Sequence, residues 1–218
     1  MKIIAINGGP RKKWNTATLL EKALDGAASK GAQTEIVHLY DLEFKGCISC
    51  FACRIRGGKS YGKCAVRDDL APVFKRIEEA DAVVLGSPIY LGTATGEMRS
   101  FLERWIFQYL TYTDPPQSLF PGKLRTAFIY TMNMTEEGLK KVGMLETYEN
   151  HYALNQMYIA RIFGHSTYQL CMDTLQFEDY SKVVADRWDP AAKAKSREER
   201  FPVDCEKAFQ LGVDLVKA

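Results

Sequence analysis

One stretch near the start of the chain combines residue types that suit the binding of an anion. The turn Asn7-Gly8-Gly9-Pro10-Arg11 leads into Asn15-Thr16-Ala17-Thr18. It joins a short, β-branched apolar run at residues 2–6 to a segment with helical periodicity at residues 16–29. Glycines allow a ligand to approach the backbone, and the amides and dipole of a helix N-terminus favour a phosphate. We therefore predict a phosphate cradle at this turn.

The predicted cradle relies on amides, hydroxyls and a few charges. We expect Asn15 to cap the helix by accepting from the amide of Ala17 or Thr18. Thr16 and Thr18 supply hydroxyls, and Arg11 and Lys12 add positive charge. The sequence has neither Gly-x-Gly-x-x-Gly after this strand nor Gly-x-x-x-x-Gly-Lys-[Ser/Thr], so it indicates neither a dinucleotide fold nor a nucleotide triphosphatase. A mononucleotide cradle and an ordinary strand-to-helix turn are the two remaining interpretations.

A second stretch contains cysteines at a regular spacing. Cys47, Cys50 and Cys53 recur every third residue, and ten residues separate Cys53 from Cys64. Bacterial ferredoxins present thiolates to a four-iron cluster at this three-residue spacing. Four thiolates also bind zinc, although structural zinc sites usually use two separated Cys-x-x-Cys pairs. A metal-free lid with buried or redox-active cysteines is the third interpretation, and all three stay open.

The composition limits the function classes. The 29 basic and 27 acidic residues nearly balance, so the charge gives no argument for nucleic acid. No apolar run approaches membrane length, and the N-terminus lacks the pattern of a signal peptide. We therefore expect a soluble cytoplasmic protein, in which the six cysteines are thiols or ligands rather than disulfides.

The apolar segments alternate between strand and helix patterns. We predict strands at residues 2–6, 33–39, 82–86, 124–130 and 166–170, with helices at 16–29, 68–77, 98–110, 142–163 and 203–216. This alternation favours an α/β fold with a doubly wound, five-stranded parallel sheet and helices on both faces. The loops at Gly8, Ser87 and Thr131 each follow a strand. Because ligands bind beyond the carboxyl ends of such strands, we expect these loops to form one site.

The pattern also predicts the domain organisation. Residues 1–170 form the predicted main domain, which includes a long irregular loop at residues 40–69 that contains the cysteine run. Loops of that length are usually functional or disordered. Residues 171–218 form a C-terminal extension that ends in a helix, which we expect to pack on the same domain.

Three motifs together resemble a known family. They are the Asn7–Thr18 turn, Ser87-Pro88-Ile89-Tyr90-Leu91-Gly92 followed by Arg99-Ser100-Phe101-Leu102-Glu103-Arg104, and the cysteine run followed by Cys64 and Asp68-Asp69. Over residues 1–165 the sequence resembles the NADPH-dependent FMN reductase-like branch of the flavodoxin superfamily. The cysteine loop resembles that of the iron-sulfur flavoproteins, although its ten-residue spacer is longer than their compact spacing.

The resemblance implies a flavodoxin-like sheet with strand order 2-1-3-4-5 and a set of FMN contacts. It assigns the phosphate to Gly9, Arg11, Asn15, Thr16 and Thr18. It assigns the isoalloxazine ring to Pro88, Ile89, Tyr90, Leu91 and Gly92 on one side and to Thr131, Met132 and Asn133 on the other. Many relatives have serine where this chain has Gly9, which shifts the phosphate contacts towards amides and threonine hydroxyls. A Gly-containing loop also offers unblocked amides to the electron-rich reduced ring.

The resemblance implies two alternative functions. The first is an FMN-dependent oxidoreductase that takes a hydride from NAD(P)H, bound transiently, and reduces a quinone, a flavin or a nitro compound. Hydride transfer needs no acid or base, so we assign no catalytic side chain. The second is an iron-sulfur flavoprotein, in which a 4Fe-4S cluster on Cys47, Cys50, Cys53 and Cys64 exchanges electrons with FMN and a redox partner protein. The aromatic residues of the 98–110 helix and Tyr112 also predict a homodimer.

Overall fold

Five parallel strands form the centre of the protein, in the order β2-β1-β3-β5-β6. The computed structural model describes residues 1–217. Its helices and strands are β1 Lys2–Asn7, α1 Asn15–Ala28, β2 Gln33–His38, α2 Leu70–Glu78, β3 Ala82–Tyr90, β4 Thr93–Ala94, α3 Gly96–Phe107, β5 Leu124–Thr131, α4 Glu136–Lys141, α5 Leu145–Phe163, β6 Gly164–Cys171, α6 Pro190–Glu199 and α7 Phe201–Lys217. The predicted doubly wound sheet and its strand order are confirmed, with β5 and β6 as the fourth and fifth parallel strands.

Helices cover both faces of the sheet, and each face has its own apolar core. Alternate residues of β3 illustrate this arrangement, because Val83 and Leu85 pack towards α2, α3 and α5 while Val84 packs towards α1 and α7. The first core includes Trp105, whose ring stacks on that of Phe163 with centroids 4.1 Å apart. A strand buried on both sides must be apolar throughout, which is why residues 82–85 have no polar side chain.

The closing helix α7 packs tightly against α1. At Gly26 an added Cβ would lie 1.9 Å from the backbone oxygen of Phe209, and at Gly212 it would lie 1.8 Å from that of Ala23. The two helix backbones therefore touch at positions where only glycine fits. This contact fixes the C-terminal extension to the same sheet face as the predicted phosphate cradle.

The hairpin after β3 was not predicted. Residues 87–90, expected in a loop, continue β3 as far as Tyr90, and β4 pairs antiparallel with this end through Ile89–Ala94 and Tyr90–Thr93. Leu91 and Gly92 form the turn with φ of 51° and 86°. Two consecutive positive φ values are typical of two-residue hairpin turns, which apolar periodicity alone does not reveal.

The helix expected at residues 142–163 is present as α5 but begins only at Leu145, because Gly143 has a φ of 67° that no α-helix accommodates. The short helix α4, which precedes it, was not predicted. The helix α6 was not predicted; for the C-terminal extension we expected only the closing helix. Asp189 caps it by accepting from the amides of Ala191 and Ala192, and Pro190 occupies its first turn. The Asp-Pro pair thus starts this helix.

Among residues 1–217, no helix combines the length and the apolarity needed to cross a membrane.

Candidate functional site

Three loops meet at the carboxyl ends of β1, β3 and β5, and hydrogen bonds join them. The amide of Gly8 donates to the oxygen of Gly86 at 2.8 Å. Thr95, which also caps α3, donates its hydroxyl to the oxygen of Gly8 at 2.6 Å. The hydroxyls of Thr16 and Thr131 share a buried hydrogen bond of 2.7 Å. The predicted convergence of the loops is therefore present, and buried polar contacts hold it.

A cavity of about 210 Å³ lies between these loops. Most of the predicted flavin-site residues line it: Gly9, Arg11, Asn15, Thr16, Pro88, Ile89, Tyr90, Thr131, Met132 and Asn133. Thr18, Leu91 and Gly92 are not among its lining residues. Thr18 lies further along α1, and the other two form the hairpin tip, where the side chain of Leu91 is fully exposed. A non-glycine residue with positive φ is strained, and such strain is common beside functional sites.

The first turn of α1 has no side-chain cap within residues 1–217. Trp14, not Asn15, occupies the N-cap position, so the predicted capping role of Asn15 is wrong. Instead, Asn15 Nδ2 donates to the oxygen of Leu175 at 2.7 Å, and its Oδ1 accepts from Arg197 at 2.8 Å. A tertiary contact has replaced the local cap. The amides of the first helical turn have no acceptor inside the helix, and groups of this kind are able to bind an anion.

Asn7 fixes the glycine turn and was missed by the sequence analysis. It is fully buried, and its Oδ1 accepts from the amide of Gly9 at 2.9 Å. This bond turns its Nδ2 towards Nδ1 of His38, 2.9 Å away, so the His38 nitrogen is the acceptor. A Cβ at Gly9 would lie 3.1 Å from Asn7 Oδ1, which leaves no room for a side chain without a shift. The signal for this role was a polar residue at the end of a fully apolar strand.

Asn133 lines the cavity and has an unused acceptor. Its Nδ2 donates to Gln176 Oε1 at 2.8 Å, whereas its Oδ1 is buried without a hydrogen-bond partner in the described chain. A buried acceptor left unpaired costs about 1–3 kcal/mol. A ligand with an N–H group at this position would remove that cost, so the residue fits a cofactor with a polar edge.

The C-terminal extension forms one wall of the cavity, which the sequence did not predict. Its contributions are Thr174, Leu175, Gln176 and Trp188, with Trp14, Met134 and Tyr148 beside them. The contacts join residues far apart in sequence: Trp14 Nε1 donates to the oxygen of Leu175 at 3.1 Å, and Arg11 donates to the oxygen of Gln176 at 2.8 Å. A sequence pattern does not indicate which backbone oxygens will accept such hydrogen bonds.

The four cysteines of the 40–69 loop surround a second, smaller cavity. Cys47, Cys50, Cys53 and Cys64 all line a space of about 20 Å³. In residues 1–217, however, no three His, Cys, Asp or Glu side chains are arranged to hold a metal ion. Burial raises the pKa of the Cys53 thiol, although Arg54 opposes this effect. The loop thus brings its four cysteines around one cavity, but their side chains are not arranged as the ligands of a metal ion.

A buried arginine organises that loop. Arg104, which is 2% exposed, donates to both carboxylate oxygens of Asp68, at 2.5 and 3.0 Å, and to the oxygen of Lys45 at 3.0 Å. Both ends of the loop are therefore fixed to α3. Arg104 Nε and Gln108 Nε2 are buried without partners in the described chain, and both residues line the cysteine cavity. Unpartnered donors of this kind fit an anionic or acceptor-rich occupant.

His151 supports the hairpin beside the first cavity. Its Nε2 accepts from the amide of Ala94 at 3.1 Å and lies 3.1 Å from Asn155 Nδ2. Two donors at Nε2 require a neutral ring with its proton on Nδ1. Burial and the nearby charge of Arg99 lower the pKa of His151, which keeps the ring in that state.

Comparison with known proteins places the chain among flavoproteins. A family profile described as NADPH-dependent FMN reductase matches residues 1–136. An iron-sulfur flavoprotein of Methanocaldococcus jannaschii is 38% identical over 104 residues, which cover 48% of this chain and 51% of that protein. An iron-sulfur flavoprotein of Archaeoglobus fulgidus is 40% identical over 104 residues, 48% of each chain. The chain spans about half the length of these curated relatives.

Solved structures with the same fold cover nearly the whole chain. An NAD(P)H:quinone oxidoreductase from Methanothermobacter marburgensis superposes with a TM-score of 0.68 at 17% identity, over 99% of this chain and 96% of that one. An azoreductase from Bacillus anthracis superposes with a TM-score of 0.66 at 14% identity, over 98% of this chain and 99% of that one. At such identities the likeness shows the fold, which is flavodoxin-like.

Replacement of His151 by Gln should weaken the acid sensitivity of the protein. The unfolded chain binds a proton at His151 below its ordinary pKa of 6.5, whereas the folded chain resists protonation. Stability is therefore complete above that pKa and is lost as the pH falls below it. Urea unfolding at about pH 7.5 and pH 5 should show a larger loss for the wild type than for His151→Gln. His165→Gln, at an exposed position, is the control, and equal losses in wild type and His151→Gln would contradict the assignment.

Proposed function

The chain belongs to the NADPH-dependent FMN reductase family, and on that premise we propose that it is an FMN-dependent NAD(P)H oxidoreductase. Its electron acceptor is a small molecule such as a quinone, a flavin or a nitro compound. The observation that supports this proposal most directly is the cavity between the β1, β3 and β5 loops, with an uncapped helix N-terminus at one side and Asn133 Oδ1 unpaired in its lining.

The residues at the uncapped helix would bind the phosphate of FMN. Amides of the first turn of α1 donate to an anion, and the helix dipole favours its charge. Arg11 adds a guanidinium at the rim of the cavity. Thr16 offers a hydroxyl that is fixed by Thr131. Gly9 contributes backbone only, because Asn7 and Pro88 occupy the space that a side chain would need.

The remaining walls suit a flat aromatic ring. Ile89 and Tyr90 lie on the hairpin side of the cavity, and Met132, Tyr148 and Trp188 supply further apolar surface. The unpaired Oδ1 of Asn133 matches a ring system with an N–H group at its edge. FMN supplies the redox chemistry by accepting a hydride and passing electrons on, and the protein binds, orients and shields it. The half-exposed Tyr90 marks the open side, at which a nicotinamide would bind transiently.

A second candidate function is electron transfer through a 4Fe-4S cluster in the cysteine loop. Two observations favour it: four cysteines line one cavity, and Arg104 Nε and Gln108 Nε2 are buried donors without partners in the described chain. Sulfurs of a thiolate-bound cluster accept hydrogen bonds, and such donors tune its potential. Cys47 and Cys50 are exposed, so cluster assembly would have to draw them inward. In this case the partner would be a redox protein.

We also propose a cytoplasmic homodimer that binds neither nucleic acid nor membranes. Exposed apolar side chains border a groove of about 480 Å³ between the cysteine loop, α3 and α5. They include Phe51, Leu154 and Tyr112, of which Tyr112 is 74% exposed. Burial of such a patch against a second copy would remove apolar surface from water.

Reconstitution with FMN tests the first proposal. After gel filtration the wild type should retain FMN and oxidise NADPH when a quinone is present. Arg11→Leu should lower FMN affinity about tenfold, because a charged hydrogen bond is lost, and should leave riboflavin binding unchanged. Lys13→Leu, an exposed change in the same loop, is the control. Failure of the wild type to retain any FMN would refute the proposal.

Metal analysis tests the cysteine loop. Protein purified without oxygen should contain about four irons and matching sulfide per chain if the cluster forms. Cys53→Ser should lose this iron, while Cys205→Ser, outside the loop, should keep it. Bound flavin without iron would refute the cluster, and zinc in place of iron would identify a structural metal site.

Light scattering tests the dimer. The wild type should have twice the mass of one chain at micromolar concentration, and Leu154→Glu should shift it towards the monomer because a carboxylate in the apolar groove costs desolvation energy. Lys195→Glu, an exposed change on α6, should leave the mass unchanged. A monomeric wild type would contradict the proposal.

A further inference from the structure

Residues 174–188, here called the strap, connect the end of β6 to the start of α6, and Thr174, Leu175, Gln176 and Trp188 of this segment line the first cavity. We propose that the strap is part of the flavin site and that Lys193 is the positioning residue that holds it against the phosphate loop, which is the predicted cradle at residues 7–18. The inference rests on the proposed binding of FMN. It concerns a part of the chain beyond residue 136, where the family profile ends.

The strap binds the phosphate loop through its backbone. The oxygen of Leu175 accepts from Trp14 Nε1 at 3.1 Å and from Asn15 Nδ2 at 2.7 Å. The oxygen of Gln176 accepts from Arg11 at 2.8 Å. Three side chains of the phosphate loop therefore converge on two neighbouring carbonyl groups. The orientation of each side chain depends on the position of the strap.

The strap also binds the loop after β5. Gln176 Oε1 accepts from Asn133 Nδ2 at 2.8 Å, which leaves Asn133 Oδ1 as a buried acceptor without a partner in the described chain. The strap thus connects the two sides of the cavity, the phosphate loop and the Asn133 loop. Removal of this connection would release both sides together.

Lys193 joins the two ends of the strap. Its side chain is 5% exposed, and its Nζ donates to Asp173 Oδ1 and to the oxygen of Asn133, each at 2.6 Å. The same ammonium lies 4.7 Å from the centre of the Trp188 ring. Asp173 directly precedes the strap and Trp188 ends it. A buried charge with a carboxylate, a carbonyl and an aromatic ring as partners is well compensated, whereas loss of the charge leaves Asp173 without its closest partner.

Arg197 provides a second connection from the same helix. It donates to Asn15 Oδ1 at 2.8 Å, and its guanidinium lies 3.7 Å from the Phe201 ring centre. Both polar ends of the Asn15 side chain are consequently used by the C-terminal extension. Asn15 therefore positions the loop, and the backbone amides of the first turn of α1 remain free to bind the phosphate.

The strap should slow the release of FMN compared with a protein in which the strap is loosened. With the strap in place, the ligand is enclosed between Trp188 and Leu175 on one side and the hairpin on the other. A loosened strap opens one wall but leaves the two apolar cores of the sheet intact, because no strap residue belongs to them. The change should therefore affect ligand release and local protection, not the whole fold.

The test compares Lys193→Met with Lys195→Met on the same helix. Lys195 is 72% exposed and makes only a surface contact with Glu199, so it is a matched control. The rate of FMN release, followed by the recovery of flavin fluorescence after dilution, should rise about tenfold in Lys193→Met and stay unchanged in Lys195→Met. Hydrogen exchange should show faster exchange in residues 174–188 of Lys193→Met, with β1 and β3 still protected.

A second variant covers the case in which Lys193→Met does not fold. Asp173→Asn removes the charge partner and keeps a residue that tolerates the φ of 59° found there. It should accelerate FMN release in the same direction. Release at the wild-type rate from the folded variant, or uniform loss of protection across the sheet, would overturn the inference.

The two proposals fail separately. If the wild type binds no FMN, the proposed function fails, and hydrogen exchange of the ligand-free variants still tests whether Lys193 holds the strap. If the wild type binds FMN and both lysine variants release it equally slowly, only the role of Lys193 fails.

Discussion

The structure depends on a helix end without a cap, placed where three strands of a parallel sheet end. A side-chain cap at α1 would satisfy one of its free amides, with a gain of about 1 kcal/mol. Trp14 at the N-cap has no side-chain oxygen to accept from these amides, and Asn15 is held by Leu175 and Arg197. The fold therefore leaves amides at the start of α1 without a side-chain partner, which costs free energy of folding. A phosphate bound at this end would remove that cost, so ligand affinity and local instability would have the same origin.

Parallel-sheet topology explains why much of the candidate site was predictable. Apolar runs identified the strands, and in a doubly wound sheet the loops after β1, β3 and β5 must meet at one edge. This topology predicted that the loops at Gly8, Ser87 and Thr131 meet, whereas the individual residues of the site, such as Asn133, were assigned from the family resemblance. The hairpin at Leu91 and Gly92 was missed because its turn depends on backbone angles that an apolar pattern does not encode.

The C-terminal wall could not be predicted, for a different physical reason. Its contacts join Arg11, Trp14 and Asn15 to two acceptors about 160 residues later, and both acceptors are backbone oxygens. Asn15 shows the effect most clearly, since its local propensity predicts a cap and a tertiary partner overrides it. Lys193 likewise appears in the sequence as one of several charges in a solvated run. Only its three partners distinguish it from Lys195, two residues away.

The helix α3 connects the two candidate sites. Its N-cap, Thr95, binds the glycine turn at the first cavity, and Arg104 and Gln108 line the cysteine cavity further along. From residue 96 to residue 104 an α-helix advances about 12 Å. Trp105 fixes α3 in the apolar core through its stacking on Phe163, so the helix cannot shift at one cavity without moving at the other. The separation of the phosphate loop from the cysteine loop is thereby set by one rigid element. Asp68 is the only carboxylate partner of Arg104 in the described chain, and this ion pair acts together with the hydrogen bonds from Arg104 to the oxygen of Lys45 and from the amide of Cys64 to Gln108 Oε1 to hold the cysteine loop against α3.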